Sequence, residues 1–225
     1  MWRAALDPPV HEVAALTALL SADEHARAAR LRARERRRRF VVARGVVRTV
    51  LARYLGTDPA SLRFEYGPRG KPRLAATSLR FNLSHSHDLA VLAVTHGREL
   101  GIDVERIRDT VAVTPLATRF FSPAECAALE ALPVDERRPG FFRLWTRKEA
   151  YLKATGEGVS RELRAIDVTG PPDQWAPVRV GDVTDARFRV RDLGPGPAYV
   201  TALAMEGDDA RVCAWQWAFS QSPAG

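Results

Sequence analysis

Three lysines stand out in a chain whose other basic residues are all arginines. Of the 34 basic residues, the lysines are Lys71 in G-K-P-R-L and Lys148 and Lys153 in W-T-R-K-E-A-Y-L-K. Either residue type keeps a surface soluble, but only lysine offers a compact ammonium whose pKa shifts readily on burial. The distribution predicts that these positions require an ammonium, with chance as the alternative.

Two carboxylates alternate along a predicted strand at residues 100–105, L-G-I-D-V-E. Alternation places Asp103 and Glu105 on one face of the strand and Ile102 and Val104 on the other. Neighbouring carboxylates repel each other unless a cation lies between them, and Mg²⁺ is bound by one or two such groups together with substrate phosphates. The alternative is a solvated strand edge with both acids in water.

A third carboxylate lies in residues 141–155, which have helical periodicity. Glu149 and Lys153 are four residues apart, so they share a helix face in the favourable order. An ordinary surface ion pair is the alternative, with a contribution of only a few tenths of a kcal/mol. Because the rest of this helix is mainly apolar and aromatic, we interpret the pair as part of a site. G-E-G at 156–158 predicts the end of the helix.

Five motifs follow one another between about Arg27 and Gly158. They are G-P-R-G-K-P-R-L at 67–74, F-N-L-S-H-S at 81–86, G-I-D-V-E at 101–105, F-F-S-P-A-E at 120–125 and W-T-R-K-E-A-Y-L-K at 145–153. In this order they resemble the motifs of the Sfp-type phosphopantetheinyl transferases. The resemblance fades after about residue 165.

The resemblance implies an enzyme that transfers the 4'-phosphopantetheine arm of coenzyme A to a serine of an apo-carrier protein, with release of adenosine 3',5'-bisphosphate. It implies that Asp103, Glu105 and Glu149 hold Mg²⁺, that Glu149 is the general base, and that Lys153 binds the diphosphate. Whether Glu105 contacts the metal directly or through water stays open. These residue types suit attack on a phosphoanhydride, which needs charge neutralisation, positioning and removal of the serine proton.

Contacts to the coenzyme are also carried over from the resemblance. The residues concerned are Arg27, Arg39, Arg44, Lys71, Ser84, His85 and Lys153. Lys71 matches the contact near the nucleotide, while Ser84 and His85 end a strand where they can reach phosphate oxygens. Glu24 departs from the family, some members of which carry a lysine there, and this puts the 3'-phosphate contacts in doubt. S-P-A-E at 122–125 is a capping box and predicts only a helix start.

Positive charge dominates the chain, with a net charge of +7, a pI of about 10.1, and eight arginines between Arg27 and Arg39. We expect most of these arginines to form a solvated face, and acidic apo-carrier domains (acyl, peptidyl or aryl) to be the partners. An arginine-rich nucleic-acid-binding protein is the alternative function, but it leaves the three acids unexplained. A scaffold of the same fold without activity is a second alternative. The presence of every acid and lysine of the motifs argues against it.

The remaining composition favours a cytoplasmic monomer. Cys126 and Cys213 are too few and too distant for a disulfide framework. The apolar run V-A-A-L-T-A-L-L lacks a signal-peptide cleavage site, and no run has the roughly 18 apolar residues of a membrane span. Monomeric state rests on similarity to two-lobed members of the family.

Two similar α+β lobes in a pseudo-twofold arrangement, with the active site between them, are the predicted architecture. A hairpin at 88–105 is echoed near the end of the chain as strand, glycine turn and strand. We expect lobes at 1–105 and 106–218, one or two long helices between Ala22 and Leu55, and several strands after Arg161. A disordered tail is predicted at 219–225.

Overall fold

The computed structural model describes residues 1–156, 162–194, 196, 198–208 and 210–219. Its α-helices are α1 Val10–Thr17, α2 Ala22–Ala29, α3 Arg34–Leu55, α4 Val113–Phe120, α5 Pro123–Glu130 and α6 Val134–Thr155. Its β-strands are β1 Trp2–Ala5, β2 Phe64–Tyr66, β3 Pro72–Leu74, β4 Leu79–Ser86, β5 Leu89–His96, β6 Leu100–Arg106, β7 Ile166–Asp167, β8 Ala176–Val180, β9 Val183–Asp192, β10 Tyr199–Glu206 and β11 Trp215–Gln216. Short 3₁₀ turns lie at Pro59–Ser61 and Leu163–Ala165.

The first lobe packs α3 against a sheet with the strand order β11-β1-β5-β4. Its core consists of the apolar face of α3, including Val42, Val46 and Val50, together with Phe81 and Leu92 from the sheet. The predicted helical region between Ala22 and Leu55 is confirmed as two helices. The second ends where Gly56 adopts a left-handed conformation, which glycine does without steric cost.

The second lobe packs α6 against a sheet with the strand order β6-β10-β9-β8-β7. Phe141, Phe142 and Tyr151 of the helix are almost fully buried against Phe188 and Val190 of β9. The helix begins seven residues before the predicted Phe141, with Pro139 inside its early turns. Each lobe thus places one long helix on a mainly antiparallel sheet, with β1 and β11 as a parallel pair in the first, which confirms the α+β class with two similar lobes.

The predicted hairpin at 88–105 is wrong in its pairing, although both of its strands exist. β5 pairs with β1 on one edge and with β4 on the other, while β6 pairs with β10. A strand has two edges, and since both edges of β5 are occupied, β6 must pair elsewhere. The echo near the end of the chain fails in the same way, because β10 stays in the second sheet and β11 pairs with β1 in the first.

The chain therefore crosses from the first sheet to the second after β5 and returns after β10. The lobe boundary at residue 105 stays a proposal, but the strand pairing places β6, which begins at Leu100, in the second sheet. Of the predicted tail, Phe219 packs against the first core, and residues 220–225 lie outside the described part of the chain. Within the described residues, no helix combines the length and apolarity needed to cross a bilayer.

Candidate active site

A glycine lets strand β6 approach helix α6 closely. A Cβ atom on Gly101 would lie 2.2 Å from the Ala150 carbonyl oxygen and 2.3 Å from the Ala154 nitrogen, which is too close for any side chain. This contact brings the carboxylates of β6 beside Glu149 and Lys153 on α6. The glycine of G-I-D-V-E therefore has a packing function that positions the site.

Asp103 and Lys153 form the centre of the site. Lys153 Nζ donates to Asp103 Oδ1 at 2.6 Å, to Ser84 Oγ at 2.9 Å and to the Ile102 carbonyl oxygen at 3.3 Å. Asp103 is almost fully buried, and its Oδ2 has no hydrogen-bond partner. A buried carboxylate oxygen without a partner is costly, so this atom is a position at which a ligand would be stabilised.

Glu105 and Glu149 complete a cluster of negative charge around Asp103. Burial raises the pKa of Glu149, and the nearby Asp103 and Glu105 raise it further against the opposing effect of Lys153. Burial also raises the pKa of Glu105, whose carboxylate accepts a hydrogen bond from Ser86 Oγ at 2.9 Å. The structure thus brings together the three acids that the sequence predicted.

The acids do not form a ready coordination shell. Among the residues that the structure describes, no group of three or more His, Cys, Asp or Glu side chains is arranged to hold a metal ion. The Lys153 ammonium instead provides the cation beside Asp103. The cluster nevertheless carries three carboxylates and one ammonium, and burial, with a smaller effect of the neighbouring acids, raises the pKa of Glu105 and of Glu149.

A groove runs between the two lobes from these acids to the arginines of α2 and α3. Two adjoining cavities of about 240 and 200 Å³ share Gly70, Pro72 and Leu83. The first is lined by Asn82, Glu149, Leu152 and Lys153 among others, and the second by Arg27, Phe40, Arg44, Tyr66 and His85 among others. A third cavity of about 230 Å³ adjoins the Gly67–Lys71 loop on the other side. The groove therefore connects most of the predicted coenzyme contacts.

The predicted arginines differ in how their charge is used. Arg27 is exposed and lies over the Phe40 ring, whereas Arg44 is buried in an ion pair with Glu24. Glu24 also accepts from Arg48 Nε at 2.6 Å, and although burial opposes it, the two guanidinium groups lower the pKa of Glu24. Glu24, which departs from the family pattern, therefore neutralises much of the charge that Arg44 would offer to an anion.

Arg39 is not among the groove-lining residues. Its Nη2 lies 2.7 Å from carboxylate oxygens of both Asp7 and Glu35. Its charge still acts on His85, whose imidazole lines the groove. The groove walls desolvate this imidazole, and Lys153 and Arg39 add to that effect, so the pKa of His85 is lowered.

Lys71 links the two lobes. Its Nζ donates to Glu99 Oε2 at 2.9 Å, to the Leu100 carbonyl oxygen at 2.9 Å and to the Ala154 carbonyl oxygen at 3.2 Å. All three donors of the ammonium are used. The side chain therefore fixes the Gly67–Lys71 loop against β6 and the end of α6, while the loop itself lines the groove.

A buried ion pair between α5 and α6 was not predicted from the sequence. Lys148 and Glu125 are both almost fully inaccessible, with 2.7 Å between Nζ and Oε2, and Lys148 also donates to the carbonyl oxygens of Leu163 and Ile166. Burial lowers the pKa of Lys148 and raises that of Glu125. The capping box at Ser122 is confirmed, but Glu125 has this second role.

A more voluminous cavity lies away from these groups. It measures about 910 Å³ and is bounded by α4, α5 and the first turns of α6, including Val113, Leu129 and Arg138. No carboxylate of the Asp103 cluster lines it. Volume alone therefore does not locate the chemistry. The groove is the better candidate because Glu149, whose pKa is raised by burial and by the neighbouring acids, lines it together with Lys153.

Comparison with known proteins gives the same family over almost the whole chain. Residues 99–204 match the 4'-phosphopantetheinyl transferase superfamily and residues 4–97 match the 4'-phosphopantetheinyl transferase N-terminal family. The chain is 43% identical to the 4'-phosphopantetheinyl transferase HetI of Nostoc sp. over 92% of this chain and 87% of that protein. It is 32% identical to the 4'-phosphopantetheinyl transferase of Bacillus subtilis over 86% of this chain and 85% of that protein.

A solved structure is similar over part of the chain. The holo-[acyl-carrier-protein] synthase of Thermotoga maritima matches 49% of this chain and 64% of its own at 18% identity, with a TM-score of 0.41. The nucleic-acid-binding alternative gains no support from these comparisons. The sequence matches show that the chain belongs to the 4'-phosphopantetheinyl transferase family and is an enzyme that transfers phosphopantetheine to carrier proteins.

Proposed function

We propose that this enzyme carries out the transfer in the groove between the lobes, with coenzyme A as co-substrate and with the carboxylates of Asp103, Glu105 and Glu149 holding Mg²⁺. The observation that carries the proposal is the buried Asp103 Oδ2, which has no partner inside a cluster of three acids. An oxygen-rich, negatively charged cluster suits a hard divalent cation that retains water and substrate phosphate as further ligands. When bound, Mg²⁺ would neutralise and polarise the diphosphate oxygens.

Glu149 is the proposed general base. Its carboxylate lies on the groove, and burial and the two neighbouring acids raise its pKa towards the range in which a carboxylate accepts a proton efficiently. It would take the proton from the carrier serine hydroxyl, directly or through one water. Glu149 is also a proposed metal ligand, so the group that accepts the proton would lie directly beside the metal ion.

Lys153 is proposed to stabilise negative charge on the diphosphate. Its side chain is about 30% exposed and lines the groove beside Glu149, while its three hydrogen bonds hold Asp103, Ser84 and the backbone of β6. A fixed ammonium at this position attracts the departing phosphate without reorganisation of the site. The negative charge that develops on the leaving adenosine bisphosphate would lie opposite this ammonium.

The rest of the coenzyme is proposed to follow the groove. Arg27 and His85 offer groups to its phosphates, and the Gly67–Lys71 loop forms the wall near the nucleotide. Arg44 contributes to the wall with its guanidinium already paired to Glu24, and Ser84 acts through its hydrogen bond to Asp103. Arg39 contributes charge at longer range, because its guanidinium is bound by Asp7 and Glu35.

The carrier is proposed to be an acyl, peptidyl or aryl carrier domain with an acidic surface, as the exposed arginines around α2 and α3 favour anionic partners. A monomer is proposed because one chain contributes both halves of the site, Ser84 from the first sheet and Asp103 from the second. A cytoplasmic location is proposed from the two free cysteines, Cys126 and Cys213.

The test is incubation of the purified protein with coenzyme A, Mg²⁺ and a panel of apo-carriers, followed by intact-mass measurement of each carrier. A mass gain of one phosphopantetheine arm is expected with Mg²⁺ and none after removal of the metal by a chelator. Asp103→Asn is the matched variant, because it retains the shape of the side chain without its charge. Full activity of this variant in the presence of chelator would contradict the metal site.

A further inference from the structure

One face of strand β4 holds the edge of β6 through side chains. Along this face the oxygens of Asn82, Ser84 and Ser86 accept hydrogen bonds from alternate backbone amides of β6. The pairs are Asn82 with Ile102 at 2.9 Å, Ser84 with Val104 at 3.4 Å and Ser86 with Arg106 at 3.1 Å. Three side chains thus replace the carbonyl groups of a paired strand and join the two sheets at the active site.

The hydroxyl group of Ser84 has no spare hydrogen-bonding capacity. It accepts from the Val104 amide and from Lys153 Nζ, and neither of these can act as an acceptor. Its single proton is therefore directed to Asp103 Oδ1, 2.8 Å away. The orientation of the Asp103 carboxylate is set by this donor and by Lys153.

Ser86 repeats the arrangement two residues further along. Its hydroxyl accepts from the Arg106 amide, so its proton is directed to Glu105 Oε2 at 2.9 Å. Glu105 also forms an ion pair with Arg108, whose guanidinium lies 3.9 Å away and whose side chain is more exposed than that of Glu105. Without the Ser86 hydroxyl, Arg108 would draw this carboxylate away from Asp103.

We propose that Ser86 is a positioning residue that holds the Glu105 carboxylate towards the Asp103 cluster, in the way that Ser84 holds Asp103. This inference rests on the proposed metal site. It assigns Ser86 a role through Glu105 and requires no contact with coenzyme A. Partners that orient a metal-binding carboxylate typically contribute about 10–100-fold to metal affinity, so the effect is measurable.

The experiment measures binding of Mn²⁺, used as a paramagnetic probe for Mg²⁺, to the free protein by electron paramagnetic resonance, without coenzyme A or carrier. Ser86→Ala is expected to weaken binding by about tenfold, and Ser86→Thr, which keeps a hydroxyl, by much less. In turnover assays, Ser86→Ala should raise the Mg²⁺ concentration for half-maximal rate by a similar factor. The rate at saturating Mg²⁺ should change little.

Tyr199→Phe is the matched control. Tyr199, the first residue of β10, pairs with Arg106 at the end of β6, and its hydroxyl donates a hydrogen bond to Asp88, which is not one of the carboxylates of the site. Burial and Asp88 raise the pKa of this tyrosine to about 12, so the hydroxyl remains a donor at neutral pH. Loss of this bond near the same end of β6 should leave Mn²⁺ affinity unchanged.

A double variant tests that Ser86 acts through Glu105. In a Glu105→Gln background, Ser86→Ala should have no further effect on Mn²⁺ affinity. If Ser86→Ala does not fold, Ser86→Cys preserves most of the volume with a weak donor and is expected to give an intermediate loss. Equal Mn²⁺ affinity in wild type and the folded Ser86 variants overturns this inference alone, whereas a wild-type protein that binds no Mn²⁺ overturns the metal site with it.

Discussion

Two lysines on helix α6, five residues apart, occupy opposite kinds of environment. Lys148 and its partner Glu125 are almost fully inaccessible, whereas Lys153 is about 30% exposed on the groove beside Asp103. Each ammonium donates to three oxygen acceptors, one of them a carboxylate. The two pairs differ in how many hydrogen bonds the carboxylate oxygens of Glu125 and Asp103 accept.

Glu125 uses both oxygens, because it accepts from the backbone amides of Ser122 and Val168 in addition to Lys148. Asp103 keeps one buried oxygen without a partner. A buried ion pair whose carboxylate oxygens all accept hydrogen bonds stabilises the fold around it. An ion pair that has an unpaired carboxylate oxygen beside a groove can still bind a ligand. Hydrogen-bond completion, more than burial or charge, therefore separates the structural pair, Lys148 and Glu125, from the proposed functional pair, Lys153 and Asp103.

The largest effect is expected at the structural pair. Lys148→Ala leaves the Glu125 carboxylate buried without its cation, so the free energy of unfolding should fall by about 3–5 kcal/mol. Denaturant unfolding measures this value. Lys153→Ala is the control, with a smaller expected loss, because the Lys153 side chain is about 30% exposed and Asp103 keeps the Ser84 hydroxyl as a donor. Equal losses for the two variants would contradict the comparison.

Loss of a carboxylate from the cluster of Asp103, Glu105 and Glu149 should affect activity far more than stability. Asp103→Ala and Glu149→Gln are each expected to lower the transfer rate by about 100-fold or more, because the charge that would hold the cation is removed. The rate is followed by intact mass of the carrier, with melting temperature as the control. A variant that loses activity only in proportion to its folded fraction would speak against a site role.

Lys153→Arg separates ammonium chemistry from charge. The guanidinium is longer, planar and spreads its charge, so it would displace Asp103 and the phosphate, and a displacement of about 1 Å costs about 100-fold in rate. Turnover at saturating coenzyme A is the measurement. Lys148→Arg is not a suitable control, because Lys148 is fully buried and a longer side chain would disturb the core. Wild-type turnover of Lys153→Arg would show that any cation suffices there.

The smallest effect concerns pH and His85. The pKa of this histidine is lowered in the free protein, and a bound phosphate would raise it, so coenzyme binding takes up a proton. Affinity should therefore increase as the pH falls from about 8 to 6, by about two- to fivefold for an exposed charge pair. Calorimetry of coenzyme A binding tests this, with His85→Gln as the control for titration of the phosphate itself. An equal pH dependence in both proteins would remove His85 from the phosphate contacts.

Local patterns predicted the helices and strands that carry the site. The capping box at Ser122, the end of α3 at Leu55 and the alternation of Asp103 with Ile102 are all properties of a few neighbouring residues. The strand pairing depended on which edges were free, and that depends on β1 and β10, far away in the sequence. Short-range periodicity contains no information about those edges.

The sequence predicted an ammonium at the three lysines, and coenzyme contacts for Lys71 and Lys153, but it did not predict the protein partners of Lys71 and Lys148. Lys71 joins the lobes and Lys148 pairs with an acid 23 positions earlier, and neither partner is recognisable from spacing. The alternation of Asn82, Ser84 and Ser86 in β4 was a usable signal, because polar residues every second position mark one strand face. Only the three-dimensional position of β6 shows what that face binds.

The last described strand, β11, has a consequence for how the molecule is made. It lies beside β1 in parallel, with Trp2 opposite Trp215 and their rings stacked at 5.5 Å. During synthesis, roughly two hundred further residues must be added after β1 before β11 leaves the ribosome and can pair with it. Since β6 likewise leaves the first half of the chain to complete the second sheet, neither half can finish its sheet alone. Such long-range closure slows folding and exposes unpaired edges in the interval, so nascent chains of this enzyme should depend on chaperones more than their modest size suggests.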